Sequence, residues 1–221
     1  MNEGGSLAAK RVLWLLLVAL LAGVAYAGRA QGGDPPEDAL YLYSTAISGI
    51  VLYGILLGIA VALGRGLPKR EFFALRRPAS WPRAVGLAFA GYVTILIGAG
   101  VLLQVLGAGD EQGLTPEGWD SSRAGAYAAN FLAIAFVGPI VEELLYRGAG
   151  VSLFAALGAL PAVAITSLAF GLAHGLVLAL AALVFFGIVT AFLRLRTDSI
   201  YPCVLVHCAF NATSLVVAVA V

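Results

Sequence analysis

AGAYAANFLAIAFVGPIVEELLY, residues Ala124–Tyr146, is an apolar run that ends in two adjacent glutamates and is followed at once by Arg147. A bilayer core takes about 20 apolar residues as helix, and this run is near that length. Working outward, runs of similar length occur at Val12–Gly28, Ala39–Gly64, Ala84–Gly107, Gly175–Leu193 and Ile200–Val221. A further run, Val151–Gly171, is interrupted at Pro161 and reads as a short amphipathic piece followed by a short span. The pattern predicts an all-α, polytopic membrane helix bundle. It has seven crossings, or eight helices if the piece before Pro161 is counted.

Composition supports lipid as the solvent. Of 221 residues, 61% are hydrophobic and 11% are charged, with mean hydropathy +0.97. A soluble domain carries about 25% charged residues, so this chain has too few to cover itself in water. The net charge of +1 gives no general attraction to nucleic acid. Cys203 and Cys208 lie five apart in one apolar run, match no zinc or redox spacing, and read as small packing residues.

The loop charges sort by sign. The connection after the second span holds Arg65, Lys69, Arg70, Arg76, Arg77 and Arg83 against Glu71. The connection after the third holds Asp110, Glu111, Glu117 and Asp120 against Arg123, and the one after the first holds Asp34, Glu37 and Asp38 against Arg29. Lys10 and Arg11 precede the first span, and Arg194 and Arg196 close the sixth. Excess Lys and Arg mark the cytoplasmic side. The expectation is a multi-pass protein of the cell membrane, with the N-terminus cytoplasmic and the C-terminus outside. The start, with Lys10, Arg11 and Ala25-Tyr26-Ala27, is also similar to a secretory signal with a small-residue cleavage site; retained, it is an anchor. Phe72, Phe73 and Trp81 among the cations suit an interfacial segment on anionic lipid, or a plain orientation signal. Gly32–Pro36 and Gly113–Gly118 read as exposed turns.

Outside the loops and the N-terminal tail, the strong charges are Glu142, Glu143 and Arg147, and the two histidines, His174 and His207, also fall in apolar runs. An ionisable group there costs a few kcal/mol or more, so it is kept only if paired, solvated or used. Glu143 and Arg147 are i, i+4 with the acid first, the favourable order for a helical ion pair. Glu142 is turned about 100° away and is left to face a cavity, a placement suited to a general base. An ion network anchoring the helix end would use the same residues. His207 and Asn211, also i, i+4, offer donors from one helix face, as a developing oxyanion or an interhelical hydrogen bond requires.

Glu142-Glu143-x-x-x-Arg147, Phe170-x-x-x-His174 and His207-x-x-x-Asn211, in that order on three apolar regions, resemble the CPBP family of CAAX proteases and bacteriocin-processing enzymes, also called the Abi family. The resemblance covers roughly Ala124 to the C-terminus, and no motif position departs from it. It implies that Glu142 and His174 activate a water for attack on a peptide carbonyl and that His207 and Asn211 form the oxyanion hole. Glu143 and Arg147 would support the site, and Phe170 would pack beside His174. It implies no metal and no other cofactor. The substrate class it implies is a membrane-associated peptide or protein, lipidated or not. Eukaryotic relatives trim prenylated CAAX ends, whereas bacterial relatives serve bacteriocin processing, immunity and peptide signalling.

Two regions are expected within one integrated domain: a three-helix membrane region over residues 1–123 and a catalytic membrane core over residues 124–221. The expected spans leave a difficulty. His174 lies about 20 Å along a helix starting at Pro161, whereas Glu142 sits near the cytoplasmic end of its own, so the two could not share a water. Two other classes of function use the same residues. One is a zinc protease, since a Glu and two His can ligate the metal, although no His-Glu-x-x-His occurs. The other is a non-proteolytic scaffold or immunity protein binding a partner such as a sensor kinase. A transporter is disfavoured because the ionisable groups cluster instead of tracing a path.

Overall fold

The computed structural model describes residues 3–32, 36–109, 111, 113–114, 116 and 118–220. Asp34, Asp110 and Glu117 of the loop charges, and parts of both glycine-rich turns, lie outside the described residues. The regular structure among the described residues is helical. The helices are α1 (Glu3–Ala30), α2 (Tyr43–Leu63), the one-turn α3 (Lys69–Phe72), α4 (Trp81–Leu106), α5 (Ser121–Leu157), α6 (Ala159–Ala173), α7 (Leu180–Thr197) and α8 (Tyr201–Ala220).

Six of these, all but α3 and α6, are long and apolar enough to cross a membrane. Their outward faces carry exposed Leu16, Leu20, Ile47, Ile55, Phe89 and Ile97, a surface that water would not tolerate at this extent. The protein is a multi-pass membrane protein. Inside the spans, backbone groups pair within the helices and hydroxyls bond back one turn. Thr166, Thr190 and Thr197 donate to the Ala162, Phe186 and Leu193 carbonyls, which satisfies these three hydroxyls inside the bundle.

The loops gather at two ends. At one, Lys10 Nζ donates to the Leu63 and Arg65 carbonyls at 2.8 and 2.9 Å, and Arg11 Nε to Leu153 at 2.6 Å. Arg76 meets Asp198 at 3.2 Å there, and Ile200 N–H donates to Ala74. At the other, Tyr26 donates to the Leu176 carbonyl at 3.0 Å, Arg29 to that of Glu111 at 3.1 Å, and Arg123 pairs with Asp38 at 2.8 Å. The first end holds the basic connections and the second the acidic ones, as the loop charges predict.

The sequence places the end of the fourth span near Tyr146 and a break at Pro161; the structure moves both. α5 continues to Leu157, and the chain turns at Gly158, whose φ of +98° belongs to glycine. Pro161 sits in the first turn of α6, where its missing N–H is not needed. Glu142 lies sixteen residues before Gly158 and His174 sixteen after it, so both stand about 24 Å from the turn. The expected mismatch in depth disappears.

The interfacial reading of the basic loop is also changed. Phe72 and Phe73 are buried, with the Phe73 ring against Gly64 and its backbone against Gly148, and the Ser152 hydroxyl donates to the Phe72 carbonyl at 2.7 Å. Trp81 stays exposed, stacked on Tyr201.

Candidate active site

Two π-helical turns, Ala133–Val137 and Leu144–Gly150, interrupt α5 on either side of Glu142 and Glu143. A π turn disturbs the regular carbonyl ladder, and in each of these turns one carbonyl is met by a side chain from another helix. The Ile134 carbonyl accepts from Asn211 Nδ2 of α8 at 2.9 Å. The Leu145 carbonyl accepts from Trp14 Nε1 of α1 at 3.0 Å. Gly150, in the second turn, lets the Trp14 ring lie against the helix: an added Cβ would stand 2.9 Å from it.

Between the π turns the glutamates diverge. Glu143 and Arg147 are both wholly buried, with Arg147 Nη1 3.3 Å from Glu143 Oε1. This is a charge pair, not an aligned hydrogen bond, because none of the three guanidinium nitrogens has a hydrogen-bond partner among the described residues. The cation is also held by aromatic faces, with its Cζ 4.4 Å from the centre of the Phe170 ring and 5.9 Å from those of Tyr146 and Phe186.

Glu142 turns instead into a cavity of about 260 Å³. His174, His207, Asn211 and Phe170 line the same cavity, with Leu21 from α1 and Leu52, Tyr53 and Leu56 from α2. The structure thus brings together Glu142, His174, His207 and Asn211, and puts Glu143 and Arg147 behind them.

His207 joins both glutamates. Its Nδ1 lies 2.8 Å from Glu143 Oε1 and its Nε2 lies 3.7 Å from Glu142 Oε2. An ionised carboxylate only accepts, so Nδ1–H donates to Glu143. His174 Nδ1 lies 2.7 Å from the Phe170 carbonyl. A carbonyl also only accepts, so Nδ1 carries a proton there and Nε2 is the ring nitrogen left unengaged. Phe170 packs on His174 at 4.6 Å between ring centres and on His207 at 5.8 Å. It is therefore common to both imidazoles and the buried arginine.

Asn211 spends one amide N–H on Ile134 and keeps a second donor. Tyr53 was not singled out by sequence, although its hydroxyl donates to Glu142 Oε1 at 3.3 Å. The signal was present: from Gly49 to Leu63, Tyr53 is the one side chain able to hydrogen bond. The His207–Glu143 bond was likewise not foreseen, because pairings between helices are not written in spacing along one; the His174 bond to the Phe170 carbonyl, by contrast, closes the i, i+4 spacing within α6. Among the described residues, no three His, Cys, Asp or Glu side chains are grouped as a metal-ion site.

The matched positions can be compared with known proteins. No curated protein and no solved structure matches the chain. Residues 124–213 match the family described as Type II CAAX prenyl endopeptidase Rce1-like. That interval runs from α5 into α8 and contains the two glutamates, both histidines, Arg147, Phe170 and Asn211. Residues 124–213 are thus similar to the Rce1-like CAAX prenyl endopeptidases, a likeness in keeping with the wider CAAX protease family.

Proposed function

We propose that the protein is an intramembrane endopeptidase that hydrolyses peptide bonds in membrane-associated peptides, lipidated or not, without a metal ion. The observation that carries this reading is the single cavity lined by Glu142, His174, His207 and Asn211. A water between Glu142 and His174 Nε2 has two acceptors for its proton. As that proton leaves, the oxygen attacks the peptide carbonyl carbon, and the carbonyl oxygen becomes an oxyanion. His207 Nδ1 is engaged by Glu143, so the oxyanion donor on this ring is a proton carried on Nε2. The second Asn211 N–H lies one helical turn further along the same face. Two donors from one rigid helix suit oxyanion stabilisation. The oxyanion then re-forms the carbonyl as the C–N bond breaks, and the proton held by Glu142 passes to the leaving amine nitrogen, giving a carboxylic acid and a free amine.

In the proposed orientation the basic end is cytoplasmic, following the excess of Lys and Arg, and the C-terminus of α8 lies outside the cell membrane.

The test is cleavage of membrane-associated peptides, prenylated and unprenylated, by purified wild type, Glu142→Ala and His174→Ala, each with and without a chelator. Cleavage by wild type, lost in both variants and unaffected by chelation, is the expected result. Loss on chelation with recovery on added zinc would move the reaction to metal catalysis, and unchanged cleavage by Glu142→Ala would remove the glutamate from it.

A further inference from the structure

Glu142 is held on its far side by a residue that lies outside the family-matched interval. Tyr53 belongs to α2, and its hydroxyl donates to Glu142 Oε1 at 3.3 Å. The other oxygen, Oε2, is the one that faces His207 Nε2 at 3.7 Å. The two carboxylate oxygens therefore have different partners, one fixed by a phenol and one turned toward the imidazole. Without Tyr53, rotation about the last side-chain bond would exchange them freely.

The close approach of the phenol depends on one further residue. Gly138 lies one helical turn before Glu142 on α5. A Cβ added there would stand 2.6 Å from both Cζ and the hydroxyl oxygen of Tyr53, nearer than side-chain carbons approach. Gly138 is thus the slot that admits the Tyr53 ring against the helix, and Glu142 follows directly above it. Tyr53 also lines the cavity, beside Leu52 and Leu56 of the same helix.

We infer that Tyr53 is a positioning residue for Glu142: its hydroxyl holds Oε1, seated by the Gly138 slot, and fixes the orientation of the carboxylate with Oε2 turned toward His207. The inference rests on the proposed use of Glu142 as the base. It makes α2 a functional part of the site, and it separates two contributions of Tyr53. The ring fills space beside Gly138, and the hydroxyl orients the carboxylate.

Tyr53→Phe keeps the ring and removes only the hydroxyl. A positioning function predicts kcat down by about ten-fold or more with KM within about two-fold, because the lost bond acts on the reacting geometry and not on substrate binding. The thermal midpoint in detergent should stay near wild type. Gly138→Ala, which displaces the ring, should lower kcat at least as far as Tyr53→Phe.

The variants are assayed beside wild type and Glu142→Ala on a peptide that wild type cleaves. Loss in Glu142→Ala with the kcat-specific fall in Tyr53→Phe supports the inference. Loss in Glu142→Ala with full activity in Tyr53→Phe overturns it and leaves the reading of the site intact. A rise in KM at unchanged kcat would also overturn it, by making Tyr53 a substrate contact. Full activity in Glu142→Ala overturns both, since there is then no base to position.

Discussion

Glu143 and Arg147 are wholly buried as a charge pair, whereas Glu142 reaches a cavity, so truncating each glutamate should have a different consequence. Removing Glu143 leaves a guanidinium with no counter-charge in a low-dielectric interior. Breaking a buried pair in this way costs about 3–5 kcal/mol, and Glu143→Ala should lower the thermal midpoint in detergent well below wild type. Glu142→Ala should leave that midpoint nearly unchanged while abolishing cleavage. On the donor side, His207→Ala and Asn211→Ala should each lower kcat by about 10²–10³ if they stabilise the oxyanion, with Asn211→Ala also freeing the Ile134 carbonyl. The ionisable residues could be found in the sequence because each is expensive in an apolar run, and their cost flags them. Tyr53 is cheaper to bury, and its partner lies on another helix, so its isolation in an apolar run is a fainter mark than a charge would be.

α6 and α7 cross where Gly187 meets Ser167. An added Cβ at Gly187 would stand 2.8 Å from the Ser167 Cα, a backbone atom that cannot turn aside. Gly187→Ala should therefore separate the two helices and destabilise the protein by about 1–3 kcal/mol, readable as a lower unfolding midpoint. It should also lower kcat, because Phe170 and His174 ride on α6. The loop that follows His174 is tied down differently. The Glu111 carboxylate accepts from the Val177 and Ala179 N–H groups, each at 2.7 Å. Burial pushes the Glu111 carboxyl up, but those backbone donors outweigh it and hold it below its usual 4.5. A lowered value means the tie stabilises the fold fully above about 4.5 and weakens as pH falls through the lowered value. Protection of the Val177 and Ala179 amides, taken relative to intrinsic exchange at each pH, should accordingly fall at acid pH in wild type, and at neutral pH in Glu111→Gln. The order of the long helices was legible from the apolar runs, whereas the piece before Pro161, expected as a helix of its own, is the end of α5. The turn between α5 and α6 was not, because proline is the louder signal and the glycine three residues earlier carries the actual reversal. Proline breaks a helix from within, yet it is at home in a first turn.

The two ends of the bundle differ in sign: Lys10, Arg11, Arg65 and Arg76 meet at one, and Asp38, Glu111 and Asp120 at the other. With the basic end cytoplasmic, a cysteine placed at Arg77 should react with an impermeant thiol reagent only after the membrane is opened. One placed at Glu37 should react in intact cells, and the reverse pattern would invert the proposed orientation. Charge sorting was readable because it lies in loops, where sequence neighbours are also spatial neighbours. The joining of α1 and α2 to the site was not, because it depends on Trp14 and Tyr53 finding partners on α5, 131 and 89 residues away. Finally, the reversal at Gly158 sets Glu142 and His174 at equal counts along two antiparallel arms. Such a hairpin behaves as a ruler folded at its midpoint. A residue inserted into one arm alone turns everything beyond it by about 100° and slides it by about 1.5 Å, parting the two marks. Insertions shared by both arms, or taken up at the fold, keep them level. Length changes across relatives in this interval should therefore come in matched pairs or sit at the turn, which makes the spacing of the arms a heritable constraint separate from the identity of any residue on them.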